Sequence, residues 1–262
     1  RIPQGANAVG LAALGLLPKG QGRHADSMLA DPLRTYLLFG IEPQYDFARA
    51  ALATRSLSGA KVVAFAAFAS EQLKKVADII LPIGLLPEIE ATLTNLDGTE
   101  QTSAAGSKLP GEARSGWRVL RALIETLALP GFDFTDIAGL RARVKQAGMV
   151  SGDCLAGKQP SPAGLECITA APIYRGDAVL RRATALNAHP LTLGARAVVH
   201  PEDAKAHGLT EGAVAKVSDD TGTAAMPVTI SPRVARGAIW IESGYEATAP
   251  LSVSAALVVK GA

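Results

Sequence analysis

The chain uses two patterns of apolar residues, and the switch between them limits the fold more than any other feature. Up to about residue 150, short unbroken apolar runs alternate with longer segments of helical character. Tyr36–Gly40 and Lys61–Ala66 are such runs, and Asp78–Pro82 is a third, stopped by Pro82. Unbroken runs of this length suit strands of a buried parallel sheet. Tyr45–Leu57 has the length and the alanine and leucine content of a crossover helix, and Ser70 is placed to cap a second helix over Glu71–Ala77. From about residue 173 the runs become short and are separated by turn residues: Val198–Val199, Val214–Val217, Met226–Ile230, Ala238–Ile241 and Leu257–Val259. That spacing belongs to a small all-β barrel.

The expected architecture is therefore α/β, with a Rossmann-like layer over residues 1–150, a Gly-, Pro- and Ser-rich linker over 151–172, and a β-barrel over 173–262. Within the first part, Pro87–Pro110 is polar and weakly periodic and reads as a long loop. A helix capped by Ser115 follows, with Trp117, Leu120, Leu123, Ile124 and Leu127 on one stripe, ended by Pro130-Gly131. Thr135–Gly148 reads as a second amphipathic helix with Arg141, Arg143 and Lys145 facing water. In the barrel part, Asp219–Gly222 is a candidate hairpin turn in which Gly222 takes positive φ, and Glu202–His207 is a short helix with Pro201 in its first turn. Trp240, between Ile239 and Ile241, is expected to lay one face in the barrel core.

Of the 262 residues, 48% are hydrophobic, enough for a large core, and a formal charge of +2 with 5% aromatics and no basic run interleaved with them gives no ground to expect nucleic acid as a partner. The apolar run Ala8–Pro18 is broken by Gly10 and Gly15 and falls short of the about 20 residues of a membrane span, so no direct membrane insertion is expected. The opening Arg1-Ile2-Pro3 lacks an initiator Met and the features of a secretory leader, and is expected to lie inside a longer polypeptide.

Three stretches carry a resemblance. Glu90–Gln101 resembles the E-x-G-T-x-x-N-x-E-G-R-x-Q segment of molybdopterin oxidoreductases, matching at Glu90, Thr92, Asn95, Gly98 and Gln101. Ala91 stands where that family has glycine and Thr99 where it has arginine. Asn187-Ala188-His189-Pro190, then Val199–Ala204 and Gly208–Gly212, is similar to the H-P-E-D-A-x-x-x-G-L-x-x-G signature of the family's C-terminal barrel. Pro110–Trp117, together with Gly5-Ala6-Asn7, Gly10 and Gly15–Pro18, narrows the resemblance to the large iron–sulfur subunit of NADH:quinone oxidoreductase, respiratory complex I. The resemblance implies a double-psi-type barrel and a scaffold segment of the peripheral arm, without its own redox centre. It implies iron–sulfur clusters upstream of Arg1, other complex I subunits as partners, and a peripheral place on the cytoplasmic side of a bacterial inner membrane. No catalytic, cofactor-binding or metal-ligating residue, and no cofactor, is assigned to this chain itself.

The remaining chemistry reads as absent. Cys154 and Cys167 lie 13 positions apart without a neighbouring histidine, unlike zinc or cluster ligands, and are either two free thiols or a disulfide. His24, His189, His200 and His207 never take a ligand-pair spacing, and His200 and His207 are expected to satisfy backbone carbonyls around the short helix. No G-x-S-x-G or phosphate-loop pattern occurs, Ser107 is a loop serine, and the carboxylate pairs Glu88/Glu90 and Asp219/Asp220 have no positioned partner. Lys108 is the nearest base beyond Thr99, with Arg114 further on. Two other functions stay open: the pterin-binding part of a true molybdopterin oxidoreductase, such as a formate dehydrogenase or nitrate reductase-like enzyme, and a stand-alone protein-interaction module.

Overall fold

The computed structural model describes residues 7–16, 18, 20–146, 164–252 and 256–261. Cys154 and most of the expected linker lie outside the described residues. The first part opens with two short helices, α1 (Ala8–Ala13) and α2 (Ala25–Ala30). A parallel sheet follows, with strand β1 (Thr35–Phe39), helices α3 (Pro43–Asp46) and α4 (Ala50–Ser58), strand β2 (Lys61–Ala66), helix α5 (Glu71–Val76) and strand β3 (Ile79–Pro82). The single helix expected over Tyr45–Leu57 is split in two, because Phe47 leaves helical geometry at φ −99°, ψ 137°. The Ser70 cap is present: its hydroxyl accepts from the Leu73 N–H at 3.2 Å. Tyr36, Leu38, Val62, Ala64 and Ala66 pack against Leu29, Ala53, Leu57, Leu73 and Val76, so one face of the sheet is sealed by α2, α4 and α5.

Pro87–Pro110 is not a long loop. It holds a tight hairpin of β4 (Ala91–Thr94) and β5 (Glu100–Ser103), where Thr92 opposes Thr102. Period-2 patterning failed to announce it because neither face of the hairpin is buried. Helix α6 (Gly116–Thr126) follows, but the buried Ser115 makes no side-chain cap. Its expected stripe is only half-buried, and Leu127 is exposed. Helix α7 (Ile137–Gln146) is narrower than Thr135–Gly148, with residues 147 and 148 outside the described set. Arg143 faces water beside Asp133, whereas Arg141 is half-buried and donates to Thr92 Oγ1 at 3.1 Å.

The barrel begins earlier than the composition indicated. Its first strand, β6 (Leu165–Ala170), lies inside the stretch read as linker, since a half-exposed run such as Leu-Glu-Cys-Ile-Thr-Ala resembles loop in a Gly- and Pro-rich neighbourhood. Helix α8 (Thr184–Asn187), strand β7 (Ala197–Val199), helix α9 (Pro201–Ala206) and strands β8 (Val214–Ser218), β9 (Thr223–Ile230), β10 (Ala238–Glu242) and β11 (Ala256–Gly261) complete it. The six strands close in the order β10-β6-β11-β8-β9-β7, with β10 pairing back onto β7. Val199, Val217, Met226, Val228 and Ile239 fill the interior. Trp240 stays out of that core. Strand alternation sends Ile239 and Ile241 inward and therefore Trp240 outward, where it is half-buried.

Candidate functional site

The residues that carry the resemblance are mostly explained by the fold they build. In the hairpin, Asn95 Oδ1 and Asp97 Oδ1 each accept from the Thr99 N–H at 2.8 Å, and Gly98 sits at φ +88°. Asn95, Asp97 and Gly98 therefore set the turn, and its tip is exposed to solvent. Thr92 lies on one face of the hairpin with Thr94, Glu100 and Thr102, and these line a cavity of about 330 Å³ shared with α1 and α7. Gly10 is held close to the same strand: a Cβ there would meet Thr94 Oγ1 at 2.8 Å. Arg141 is the one guanidinium lining this cavity among the described residues. Thr99, Lys108 and Glu90 are exposed, and Glu88 closes a turn by accepting from the Leu85 N–H at 2.8 Å.

The barrel signature is explained in the same way. His200 Nδ1 accepts from the Glu202 N–H at 3.2 Å and caps α9, so it accepts from an N–H rather than donating to a carbonyl. Pro201 begins that helix, Asp203 accepts from the Gly237 N–H at 2.8 Å, and Ala204 and Leu209 enter the core. Gly208 ends the turn at φ +65°. His24 and His207 are exposed at helix ends, and His189 packs edge-on against Tyr174 at 5.0 Å. Asn187 Nδ2 donates to the carbonyls of Leu180, Arg181 and Ala183, and its Oδ1 accepts from Arg175 at 2.7 Å. It folds the segment that presents Arg181 and Arg182.

Those two arginines form the densest electrostatic feature of the described residues. Arg181 reaches Glu42 at 3.0 Å and Asp46 at 2.6 Å, and Arg182 reaches Glu42 at 2.6 Å. Arg181 and Glu42 are nearly dry, with 7% and 5% of their side chains exposed. Arg181 also lies over the Tyr45 ring at 4.8 Å, and Arg182 over Phe68 at 3.9 Å. Glu42 follows β1 and Phe68 follows β2, so both arginines cap the carboxyl ends of adjacent parallel strands. That end of an open α/β sheet is where ligands bind. Burial works against the Arg181 charge, but the Asp46 and Glu42 carboxylates outweigh it and hold its pKa above the ordinary value. Sequence reasoning missed this cluster. The Arg181-Arg182 doublet beside the Asn187 motif was the available signal, but nothing local names Glu42 as its partner 139 positions away.

A second seam joins the same two regions. Arg49 pairs with Asp220 at 2.8 Å across it, and on its barrel side Arg175 lies over Tyr245 and donates to the Gly244 carbonyl at 2.8 Å. Between them is a cavity of about 30 Å³ bordered by Gln44, Tyr45, Cys167 and Glu242. Burial pushes the Cys167 thiol up to about 11, aided by the charge of Asp219, so this free thiol is not a nucleophile at neutral pH. Burial also raises Glu242, against a hydrogen bond from Tyr245 at 3.1 Å.

Asp219 is no solvent-turn carboxylate. Burial alone pushes it up, but its Oδ1 accepts from Thr221 Oγ1 and from the Thr221 and Gly222 N–H groups, its Oδ2 accepts from Ser252 N–H, and the net shift is downward. Gly222 is not at positive φ; glycine is needed because a Cβ would meet the Pro250 carbonyl oxygen at 2.6 Å. Among the described residues, no group of three or more His, Cys, Asp or Glu side chains is placed to hold a metal ion, and no helix is long and apolar enough to cross a membrane.

A pterin dinucleotide brings pyrophosphate charge that must be met by free N–H groups or arginines. The arginines at the junction do not fit that need. Arg181 and Arg182 are neutralised by Glu42 and Asp46, Arg49 by Asp220, and Arg175 is spent on Tyr245, Gly244 and Asn187.

Comparison with known proteins agrees with the fold. Residues 1–126 match the molybdopterin oxidoreductase family model, and residues 165–261 match the molydopterin dinucleotide binding domain. The NADH-ubiquinone oxidoreductase 78 kDa subunit of Neurospora crassa is 39% identical over 70 residues, 27% of this chain and 9% of that protein. The 75 kDa subunit of Reclinomonas americana is 41% identical over 64 residues, 24% of this chain and again 9% of the relative. The matched stretch thus spans under a tenth of either relative. Acetylene hydratase from Pelobacter acetylenicus superposes over 92% of this chain and 44% of its own, with a TM-score of 0.61 and 15% identity, a likeness of fold. The chain is a molybdopterin-oxidoreductase-like domain, similar to that of the large subunit of complex I.

Proposed function

We propose that this domain is a structural scaffold of an NADH:quinone oxidoreductase large iron–sulfur subunit, contributing to the peripheral arm without a redox centre of its own. The observation that carries this reading is the internal neutralisation of Arg181 and Arg182 by Glu42 and Asp46 at the carboxyl ends of β1 and β2. A ligand phosphate there would have to displace the buried Glu42 and the half-buried Asp46 carboxylates, already paired at 2.6 to 3.0 Å. The replacement of the family's arginine by the exposed Thr99 removes a second point of attachment. On this reading the iron–sulfur clusters and quinone chemistry belong to other parts of the complex. The partners are other peripheral-arm subunits, and the domain lies on the cytoplasmic side of the membrane.

The alternative, the pterin-binding part of a true molybdopterin oxidoreductase, draws support from the match of residues 165–261 to a dinucleotide-binding domain. Denaturation and oxidation of the intact parent subunit, followed by fluorescence detection of released pterin, separates the two. The scaffold reading expects no pterin above background. A stoichiometric signal would falsify it and establish the alternative.

A further inference from the structure

One face of the hairpin β4–β5 does more than carry a turn. Thr92 and Thr94 project to the same side of β4, and their partners across the hairpin, Thr102 and Glu100, project with them. Helix α1 is tied to this face where Asn7 Oδ1 accepts from the Thr94 N–H at 2.8 Å. Helix α7 is tied to it where Arg141 Nε donates to Thr92 Oγ1 at 3.1 Å. Between these ties the three elements leave the cavity of about 330 Å³. That is room for far more than one water, and it falls within the about 300 to 1,000 Å³ of small-molecule sites.

The walls are of two kinds. Leu14 on α1 and Ile137, Leu140 and Val144 on α7 make one side apolar, while the threonine hydroxyls and Arg141 make the other polar. Arg141 is the group without a counterpart. It has no ion pair among the described residues, and its Nη2 is buried with no hydrogen-bond partner. A buried donor left without an acceptor is costly, so an acceptor that reaches it is favoured. With Nε committed to Thr92, the free donors are those of the terminal edge of Nη1 and Nη2, a fork that matches the two oxygens of a carboxylate. Glu100, exposed at the rim, limits the charge: it tolerates one negative charge at Arg141 and opposes the second that a phosphate ester brings.

We propose that this cavity binds a small amphipathic monocarboxylate. Its carboxylate is held by the terminal edge of Arg141, after a small turn of the side-chain end, and its hydrocarbon part lies between Leu14, Ile137 and Leu140. The site uses none of the junction residues, so it stands whether or not the parent subunit releases a pterin.

Octanoate titrated into the intact parent subunit at neutral pH, followed by isothermal calorimetry, is the test, with 1-octanol and octyl phosphate as uncharged and dianionic probes of the same chain length. One octanoate is expected per subunit, bound about tenfold or more tightly than either of the other two. Arg141→Gln should weaken octanoate about tenfold or more, and Arg141→Lys, which keeps the charge and loses the fork, by less. Ala13→Phe, which fills the cavity from α1 and leaves Arg141 in place, should abolish binding. The comparison of the three probes needs no variant, so it decides even where a variant fails to fold. No saturable heat with octanoate overturns the proposal. So does octanoate binding unchanged in both Arg141→Gln and Ala13→Phe, which places the probe on another surface. Octanol binding as tightly as octanoate overturns it by removing the role of Arg141, and tighter binding of octyl phosphate overturns it by assigning the cavity to phosphate esters.

Discussion

The sheet and the barrel meet the same problem, apolar strands with unpaired edges, in opposite ways. The barrel closes its strands on one another and hides Val199, Val217, Met226, Val228 and Ile239 in a single interior, so every described strand has two neighbours. The sheet leaves β1 and β3 as edges and one apolar face half open. The difference shows where stability is local and where it is borrowed. The barrel draws on its own side chains, while the sheet draws on α2, α4 and α5 and on Arg181 and Arg182 from the barrel side. The junction is thus the place where the sheet leans on residues of the barrel part.

The largest expected effect comes from breaking that junction. Glu42→Ala removes the buried carboxylate that Arg181 and Arg182 share, leaving Asp46 as the remaining partner of Arg181, and should cost about 3 to 5 kcal/mol, read as a lowered urea midpoint. An unchanged midpoint would mean the cluster is relaxed by water. Inside the barrel, Ile239→Ala should cost about 2 to 5 kcal/mol. Leu37→Ala on the open face should cost no more than about 0.5 kcal/mol in this chain alone. Equal losses at the two positions would erase the contrast between closed and open regions.

Smaller effects sharpen the account of the barrel loops. Asp219→Asn removes a carboxylate that accepts four hydrogen bonds and should cost about 1.5 to 3 kcal/mol at neutral pH. Because the folded state lowers the Asp219 pKa, its contribution is fully present above the unfolded value of about 3.9 and is lost as pH falls through the lowered folded value. The variant should therefore show a shallower loss of stability below about pH 4 than the parent chain; parallel curves would contradict this. Trp240→Ala should cost less than Ile239→Ala, since the indole lies outside the core. The smallest effect is kinetic: at neutral pH, Cys167 should alkylate far more slowly than a free cysteine, with a rate that rises toward pH 11.

Much of this fold is legible in the sequence. Continuous apolar runs gave β1, β2 and β3, and valine-rich runs between turn residues gave β7 to β11. The hairpin β4–β5 escaped because its strands are not buried and show no alternation, and β6 because it begins inside a Gly- and Pro-rich stretch. The site was legible only as motif. Asn95, Gly98, Asn187, His200 and Gly208 could be matched to a family pattern, but their task here is to set turns, caps and loops. The groups with electrostatic consequence, Glu42, Asp46, Arg181 and Arg182, come from two regions about 140 positions apart, and no periodicity connects them. Gly222 illustrates a third case, in which the residue was identified and its reason was not: a Pro250 carbonyl, rather than a positive φ, forbids a side chain.

The central claim is that Arg181 and Arg182 serve the joint between the two regions, with neither guanidinium left over for a ligand. A double-mutant cycle on Glu42→Gln and Arg181→Gln, read as urea stability, tests it most directly. If the pair is the joint, the two losses should be strongly non-additive, with a coupling of about 1.5 to 3 kcal/mol. Additive losses, with a coupling near zero, would show that Glu42 does not hold Arg181, and would return that guanidinium to the set available for a bound anion.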